Sequence, residues 1–488
     1  MRSELTDPHL LKTAAYVDGA WVTAPGTFPV HNPSTGELLA ELPELDRERT
    51  AEAIDAAHRA LSAWRARSAK DRSRVLRRWY ELVTEHAEDL ARLIVLEEGK
   101  PYAEALGEVT YAASFLEWFA EEAKRVRGDV MAAPEPARRI VVLKEPVGVC
   151  AAITPWNFPA AMITRKAAPA LAAGCTMVLK PAEQTPLTAL ALAELADRAG
   201  VPAGVFNVVT GDPRVIGPEL TGNPLVRKLT FTGSTEVGRL LLAQSAQTVK
   251  KTSMELGGNA PVLVFDDADL DLAAEGVFAA KYRNTGQACI SANRVYVQDG
   301  VYDAFAAKLA ERVAGLVVGD GFDDGVRQGP LIDAAAVAKV ESHVADAVAR
   351  GAAVLHGGKR HARGELFYEP TVLTEVTADM LVTREETFGP VTPLVRFTDE
   401  QDAVRMANDT EFGLAAYLFA QDAERIWRVG AALEAGMVGI NTGLISNEVA
   451  PFGGVKQSGI GREGSVYGID EFLELKYLAW EGARTTHP

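Results

Sequence analysis

The stretch that decides the fold is VGVCAAI at residues 147–153. It is short and almost wholly apolar, which is typical of a strand buried on both faces of a sheet. Similar apolar runs recur at 176–180, 205–209, 227–231 and 253–256. Helical patterns lie between them, including 168–173 and 188–199. This alternation predicts an α/β fold with a parallel, doubly wound sheet. Such a sheet binds ligands beyond the carboxyl ends of its strands, so the residues after these runs are the functional candidates.

The sequence on either side predicts further units. Residues 17–42 predict short extended pieces, and 46–127 predict helices with a break at Lys100-Pro101. Residues 128–146 predict a hairpin arm, with which the strand-like run 472–480 could pair. A second alternation of strands and helices follows, with strands predicted at 262–265, 294–297, 391–397 and 438–440 and helices at 304–316 and 335–349. We therefore expect two α/β domains and a small β arm.

Composition excludes several classes of function. The chain has 488 residues and a net charge of −16, which disfavours binding to nucleic-acid phosphates. Three cysteines cannot form a paired disulfide framework, and eight scattered histidines without ligand spacing predict no metal site. Residues 1–20 contain no apolar signal core and no run is long enough to span a bilayer. We expect a cytoplasmic protein that binds neither membranes nor nucleic acids.

One cysteine lies in polar surroundings, within GQACISANR at 286–294. Cys289 is therefore the candidate nucleophile, whereas Cys150 and Cys175 lie in apolar runs and are expected to be core thiols. No histidine lies near Cys289 in the sequence, so a Cys-His protease pair is not indicated.

Charged residues follow the strand at 176–180. Glu183 could accept hydrogen bonds from the ribose of a dinucleotide and would repel a 2′-phosphate, and Lys180 could reach the ribose or a phosphate. Equally, Glu183 could be an ordinary capping residue, since QTP at 184–186 opens a helix.

A glycine turn follows the strand at 227–231. The spacing GSTEVG at 233–238 would let backbone N–H groups and a helix N-terminus face a pyrophosphate, although the same residues make a good plain helix cap. Asn157, in PWNFP at 155–159, could donate to an oxyanion or could serve a buried turn. Glu255 should have a raised pKa that suits a general base, unless it is a salt-bridged structural residue.

Six stretches together resemble the aldehyde dehydrogenase superfamily over nearly the whole chain. They occur in the family's order: PWNFP at 155–159, LKPAEQTP at 179–186, FTGSTEVG at 231–238, ELGGNAP at 255–261, GQAC at 286–289 and EETFGP at 385–390. The resemblance implies a Rossmann-type NAD-binding domain over 1–127 and 147–257 and a catalytic domain over 258–456. It also implies an oligomerisation arm and C-terminal tail over 128–146 and 457–488, and a homodimer or homotetramer.

The resemblance assigns roles to the candidate residues. Cys289 would attack the aldehyde, Asn157 and the backbone N–H of Cys289 would stabilise the oxyanion, and Glu255 would activate water against the thioester. Lys166 and Glu463 match positions linked to proton relay. The implied cofactor-binding residues are Thr154, Pro155, Trp156, Lys180, Ala182, Glu183, Gly233, Ser234, Gly238, Leu256, Glu386 and Phe388.

Within the family the chain is most similar to the succinate-semialdehyde dehydrogenases. The signals are ITRK at 163–166, ANR at 292–294 and ISNEVAPFGG at 445–454. Two arginines and a hydroxyl would bind the far carboxylate of such a substrate, which predicts Arg165, Arg294 and Ser446 in that role. The alternative is that they are structural arginines and a solvated hydroxyl. The remaining substrate-binding residues implied are Phe158 and Phe452.

Two positions depart from relatives. Ser291 stands where some carry a second cysteine, so a disulfide switch at this site is not available. Glu183 stands where NADP-preferring bacterial relatives often have a small residue, so we expect NAD as the preferred cofactor, with NADP possible. Glutarate semialdehyde or a broad aldehyde range remains the alternative specificity, because one methylene contributes only about 1–3 kcal/mol. A non-enzymatic relative is disfavoured by the intact Cys289, Glu255 and Asn157.

Overall fold

The computed structural model describes residues 5–135 and 137–481. Its first part contains four strands and four α-helices: β1 (Ala15–Val17), β2 (Ala20–Val22), β3 (Thr27–His31), β4 (Leu38–Pro43), α1 (Arg47–Arg65), α2 (Ala69–Glu85), α3 (Ala87–Glu98) and α4 (Tyr102–Glu122). The N-termini of α1 and α2 are capped by Asp46 and Ser68, whose side chains accept backbone N–H groups. Gly99, at φ +95°, ends α3, and the break predicted at Lys100-Pro101 separates α3 from α4.

The arm and the first α/β unit follow along the chain. Their elements are β5 (Asp129–Ala132), β6 (Arg138–Pro146), β7 (Val149–Ile153), α5 (Ala161–Ala173), β8 (Thr176–Lys180), α6 (Pro186–Arg198), β9 (Phe206–Val208), α7 (Pro213–Gly222), β10 (Val226–Thr232), α8 (Thr235–Ser245) and β11 (Lys251–Glu255). All five strands that the apolar runs predicted are present. Cys150 and Cys175 are fully buried, as expected.

The second α/β unit runs from β12 to β18. Its elements are β12 (Ala260–Val264), α9 (Leu270–Tyr282), β13 (Ala292–Gln298), α10 (Tyr302–Ala314), α11 (Ala334–Ala349), β14 (Ala353–His356), β15 (Thr371–Thr374), α12 (Leu381–Arg384), β16 (Val391–Phe397), α13 (Glu400–Asn408), β17 (Ala415–Phe419), α14 (Ala423–Ala432) and β18 (Met437–Ile440). Two strands close the described chain, β19 (Gly459–Ile460) and β20 (Leu473–Glu481).

The strands form two large sheets. The first has the order β19-β11-β10-β7-β8-β9-β1-β2, and its five central strands are parallel, as predicted. Its two edges are antiparallel and come from the ends of the chain, which sequence patterning did not predict. The second sheet has the order β14-β15-β16-β13-β12-β17-β18 and is parallel except for β14.

The arm is a separate sheet of three strands in the order β20-β6-β5. The C-terminal strand pairs antiparallel with β6 over its whole length, from Leu473 opposite Pro146 to Glu481 opposite Arg138, as the sequence suggested. The tail first contributes β19 to the edge of the large sheet beside β11, however, so only its last part belongs to the arm. Within residues 5–135 and 137–481, none of the helices is both long and apolar enough to cross a membrane.

Candidate active site

The loop that carries Cys289 is held in an unusual backbone conformation. It connects α9 to β13 and begins with a short 3-10 segment (Arg283–Gly286). Asn284, Thr285 and Gly286 all have positive φ, and a Cβ on Gly286 would lie 2.3 Å from the backbone oxygen of Gly389. Only glycine fits at this third position, and two non-glycine residues in the left-handed region are a local strain of the kind found at functional sites.

The Cys289 thiol lies between two cavities. Cys289 and Met162 line both of them. Burial, followed by the nearby Glu386, raises the pKa of Cys289 to about 12, so the thiol is protonated at neutral pH in this arrangement. The backbone oxygen of Cys289 is packed against the bend after β11, since a Cβ on Gly258 would lie 2.2 Å from it.

Asn157 is buried directly after β7, beside the cysteine loop. Its Nδ2 donates to the backbone oxygen of Gln287 at 2.9 Å. An amide nitrogen carries two hydrogens, so the second can serve a substrate oxygen. Asn157 lines the larger cavity together with Cys289, which is the placement that the proposed oxyanion donor needs.

Glu255 is the last residue of β11 and is buried. Neither of its carboxylate oxygens has a hydrogen-bond partner within 5–135 and 137–481. Burial, and next the charge of Glu463, raises the pKa of Glu255 well above its usual range, as expected for a general base in an apolar setting. Glu255 lines neither of the two cavities beside Cys289 in this conformation.

Glu463 joins two cations of α5. Its carboxylate forms ion pairs with Arg165, at 2.7 Å, and with Lys166, and all three side chains are buried. Burial opposes ionisation of Glu463, but Lys166 and Arg165 outweigh it and lower its pKa. The pairing of Lys166 with Glu463 brings together the two residues that the resemblance linked to proton relay.

The larger cavity, of 380 Å³, lies at the carboxyl ends of the first sheet. Seven of the residues that were expected to bind the cofactor line it, namely Pro155, Trp156, Gly233, Ser234, Leu256, Glu386 and Phe388. Five do not reach this cavity, namely Thr154, Lys180, Ala182, Glu183 and Gly238. Residues of the loop before α11 and of α11 itself complete its wall, which the sequence did not predict: Ile332, Asp333, Ala335, Ala336 and Lys339.

The chemistry of this wall fits a nicotinamide dinucleotide. The buried hydroxyl of Thr232 lines the cavity and has no hydrogen-bond partner in the described part of the chain, so it is free for a ligand. Ser234 caps α8, and the N-terminus of this helix favours an anion such as a pyrophosphate. Glu386 accepts the N–H of Gly258 at 3.0 Å, and burial raises its pKa to about 7.

Phe388 and Trp156 form an aromatic wall for the same cavity. Their rings meet edge to face, with centroids 5.6 Å apart, and Phe388 has φ +54°. Beyond the cavity, Lys180 and Glu183 form an ion pair with each other. Lys180 is buried, whereas Glu183 keeps about a third of its side chain exposed at 34%. The exposed carboxylate is available to a ligand that extends past β8.

The second cavity is a narrow apolar pocket of about 30 Å³ on the other side of Cys289. Arg165, Ser446, Phe158 and Phe452, which were expected to bind the substrate, all line it, and their substrate role stays a prediction. The guanidinium of Arg165 lies 3.9 Å from the centre of the Phe452 ring, a contact that orients this cation at the pocket wall.

Arg294 is not in this pocket, and the expectation that it binds the substrate carboxylate is wrong. It is 1% exposed on β13, and its guanidinium donates to the backbone oxygens of Asn259, Met406 and Ala407. Met406 and Ala407 lie in the last turn of α13, whose carbonyls lack partners within the helix. Arg294 is therefore a structural residue that caps α13, which was the alternative reading of its role.

Arg283 occupies the place that was assigned to Arg294. It lines the pocket with Arg165 and Ser446, and its guanidinium lies 5.0 Å from the centre of the Phe158 ring. The sequence contained one signal for it, a cation six residues before the nucleophile at the end of a helix. Further residues of the pocket wall were not predicted from the sequence, namely Tyr111, Met162, Ile290 and Tyr417.

Comparison with known proteins gives one consistent result. Residues 21–478 match the aldehyde dehydrogenase family. The chain is 62% identical to a glutarate-semialdehyde dehydrogenase of Pseudomonas aeruginosa, over 98% of this chain and 100% of that protein. It is also 62% identical to the NADP(+) succinate-semialdehyde dehydrogenase GabD of Escherichia coli, over 97% of this chain and 99% of that protein.

Solved structures agree with these relatives. The crystal structure of a succinate-semialdehyde dehydrogenase from Burkholderia pseudomallei superposes with a TM-score of 0.97 at 62% identity, and the match covers 98% of this chain and all of that one. A family match over most of the chain, relatives of this identity and the same fold lead to a single conclusion. The chain belongs to the aldehyde dehydrogenase family.

Proposed function

We propose that this aldehyde dehydrogenase oxidises succinate semialdehyde to succinate with a nicotinamide cofactor. The observation that supports it most is the position of Cys289 between two cavities of different chemistry. One has a helix N-terminus, a glycine turn and the Thr232 hydroxyl, which has no hydrogen-bond partner among the residues that the structure describes; these suit a dinucleotide. The other is narrow and apolar, with two guanidiniums and a hydroxyl in its wall, which suit a short chain that ends in a carboxylate.

In this proposal the reaction begins at the sulfur of Cys289. The thiol gives its proton to solvent water and the thiolate attacks the aldehyde carbon. The second hydrogen of the Asn157 amide, together with the N–H of Cys289, stabilises the oxyanion that forms. A nicotinamide held in the larger cavity, beside Trp156 and Phe388, would supply the acceptor for the hydride of that carbon. Cys289 would then keep the acyl group as a thioester. Glu255 then takes a proton from water, which attacks the thioester and releases the acid.

Each half of the reaction meets an opposing pKa in the unbound enzyme. The Cys289 thiol is protonated at neutral pH, which opposes the first step. Burial raises the pKa of Glu255 well above its usual range, which opposes ionisation of the base of the second step. We propose that protons leave Glu255 through the buried pair of Lys166 and Glu463. The lowered pKa of Glu463 favours its ionised form, whereas the raised pKa of Glu255 favours its protonated form.

Recognition of the substrate carboxylate is assigned to Arg165, Arg283 and Ser446. Arg283 forms no ion pair with any residue in 5–135 or 137–481, and Nε of Arg165 lacks a hydrogen-bond partner there. Guanidinium groups with free donors in an apolar pocket are good partners for a carboxylate. Phe158 and Phe452 would then enclose the methylene chain between the carboxylate and the aldehyde.

Glutarate semialdehyde is the second candidate, since one of the similar proteins bears that name. One additional methylene changes binding by only about 1–3 kcal/mol, so both substrates could be turned over. The deciding experiment is kcat/KM for a series of ω-carboxyl aldehydes of increasing length, followed by the absorbance of the reduced cofactor. The proposal expects a maximum at the four-carbon compound and loss of turnover in Cys289→Ala, whereas a maximum at a neutral aldehyde would refute it.

For the cofactor we propose a preference for NAD, with NADP accepted more weakly. The support is Glu183, whose partly exposed carboxylate would repel a 2′-phosphate. The similar protein of E. coli is named for NADP(+), so the preference must come from local residues such as this one and not from the family. The domain limits given above, with the cofactor domain ending at 257, are part of the same proposal.

We also propose that the protein is a cytoplasmic homodimer or homotetramer assembled through its arm. Large apolar side chains on the arm are exposed, including Val130 at 73%, Leu475 at 70% and Trp480 at 64%. Strands β5 and β20 are both edges of their sheet, and exposed apolar edges usually pair or are covered. Light scattering of the purified protein would test this, and a monomer at micromolar concentration would contradict it.

A further inference from the structure

The elbow between α3 and α4 contains buried ionisable side chains that the proposed mechanism does not use. Glu97, Glu98, Lys100 and Glu108 are all at most 1% exposed. Ionised groups are costly to bury without partners, so such a cluster needs a structural or functional reason. We define this segment, residues 97–108, as the elbow.

Lys100 connects the elbow to the segment of Asn157. Its Nζ donates to the Glu108 carboxylate at 2.6 Å and to the backbone oxygen of Asn157 at 2.7 Å. The other oxygen of Glu108 accepts the N–H of Ala160 at 2.9 Å, at the entry of α5. One ion pair thus holds the segment 157–160 at two points of its backbone.

A second residue holds the same carbonyl. Nδ2 of Asn284 donates to the backbone oxygen of Asn157 at 2.9 Å. Asn284 belongs to the strained loop before Cys289, and its own N–H donates to Glu104 of the elbow at 2.7 Å. The elbow therefore fixes the oxyanion donor and the cysteine loop relative to each other.

Lys100 also contacts the Phe158 ring, which Arg283, a residue proposed to bind the substrate carboxylate, contacts as well. Its Nζ lies 4.0 Å from the centre of the Phe158 ring, and the guanidinium of Arg283 lies 5.0 Å from the same ring. A second carboxylate, that of Glu98, is farther from Nζ, at 3.9 Å. Glu108 and Glu98 already supply negative charge near Nζ. The hydrogen bond from Nζ to the neutral carbonyl of Asn157 is therefore not explained by charge neutralisation alone.

We propose that Lys100, paired with Glu108, is a positioning residue for the reaction that orients Asn157 against Cys289. The inference rests on the proposed function, because it presumes that the Asn157 amide stabilises an oxyanion. Lys100 itself lines neither cavity beside Cys289 and does not contact the reacting atoms. Its effect is on the orientation of the donor, and it should appear in kcat and not in binding of the cofactor.

The test is a double-mutant cycle between the pair and Asn157. The variant Lys100→Met/Glu108→Gln removes both charges while keeping side-chain volume, so that no carboxylate is stranded. We expect its kcat to fall about 30-fold or more, because loss of one oxyanion donor typically costs about 100- to 1,000-fold. The dissociation constant of NAD, measured by fluorescence, should change less than threefold.

The cycle separates positioning from stability. In an Asn157→Ala background the same two substitutions should lower kcat by no more than about threefold, because the amide donor that Lys100 orients is already absent. Lys228→Met/Glu471→Gln is the matched control, since Lys228 is equally buried, lies 3.6 Å from Glu471 and lines neither cavity. The control should lower the melting temperature without lowering kcat per folded molecule. Equal losses in both backgrounds, or an unchanged kcat, would overturn the proposal.

A second substrate separates this proposal from the proposed function. We expect Cys289 to cleave p-nitrophenyl acetate without cofactor, because its sulfur can form the acyl bond as nitrophenolate leaves and water can then release acetate through the same kind of oxyanion. If the protein oxidises no semialdehyde but shows Cys289-dependent cleavage of this ester, the cycle is measured on the ester. A non-additive result there supports Lys100 although the substrate assignment has failed. Absence of both activities would overturn both proposals.

Discussion

The guanidinium of Arg294 donates a 2.8 Å hydrogen bond to the backbone oxygen of Ala407, in the last turn of α13. Two more backbone oxygens accept from the same group. A cation whose donors are committed to buried carbonyls is not available to a substrate. The two arginines on either side of Cys289 in the sequence, Arg283 and Arg294, therefore have different roles, and their substitutions should separate specificity from stability.

We expect Arg283→Met to raise KM for succinate semialdehyde roughly 10- to 100-fold, because a hydrogen bond to a charged group contributes about 1.5–3 kcal/mol. KM for a neutral aldehyde of similar length should change little. Arg294→Met should instead lower the free energy of unfolding by roughly 2–4 kcal/mol, since buried carbonyls lose their donors. Steady-state kinetics and urea denaturation of both variants measure this difference. A selective loss of semialdehyde affinity in Arg294→Met would contradict it.

The pKa of Cys289 gives a second prediction. Burial raises it to about 12, and only the thiolate reacts with iodoacetamide. In the enzyme without cofactor, the inactivation rate should therefore rise about tenfold per pH unit from pH 7 to 10 without levelling off. A free thiol with an ordinary pKa of about 8.5 levels off within that range and serves as the control. A plateau below pH 9 would show that the thiol is activated in the resting enzyme.

Glu255 gives a third prediction, which concerns the second half of the reaction. Glu255→Gln removes the base that activates water but leaves Cys289 and Asn157 in place. Formation of the thioester should persist, so that mixing with substrate and NAD yields a burst of reduced cofactor close to one equivalent. Steady-state turnover should then fall by about 100-fold or more, as is typical for loss of a general base. Stopped-flow absorbance measures both phases, and Cys289→Ala, which can form no thioester, is the control without a burst.

Strands were predictable from the sequence where burial on both faces makes them continuous apolar runs. The run 147–153 and its four successors fall on β7 to β11 within two residues at their ends. The start of α5 was missed because all thirteen of its residues are buried, so it has no exposed face and no amphipathic pattern. Its N-cap, Ala160, also offers no side-chain signal. β17 was missed because five apolar residues can equally belong to a buried helix.

The candidate site was predictable where a residue type and its local setting define a role, as for Cys289, Asn157 and Glu255. It was not predictable where a role depends on the direction of a side chain. Arg283 lies six residues before Cys289 and Arg294 five residues after it, yet only Arg283 of the two lines the pocket. Between Arg283 and Cys289 the chain turns through Asn284 and Thr285, both at positive φ, which sequence patterning does not reveal. The contacts of Lys100 are equally hidden, since its partners lie up to 57 residues away in the chain.

The last prediction concerns the choice between cofactors, which depends on one exposed carboxylate. Glu183 pairs with Lys180 at the end of β8, and a 2′-phosphate placed there would meet its negative charge. We expect kcat/KM with NAD to exceed that with NADP in the natural protein, and Glu183→Ser to raise kcat/KM for NADP about tenfold or more while lowering that for NAD a few-fold. Glu52→Ser, which removes the same charge from the exposed face of α1, should change kcat/KM for neither cofactor. If the natural protein prefers NADP, Glu183 does not select the cofactor, and the preference must be sought in the backbone around β8.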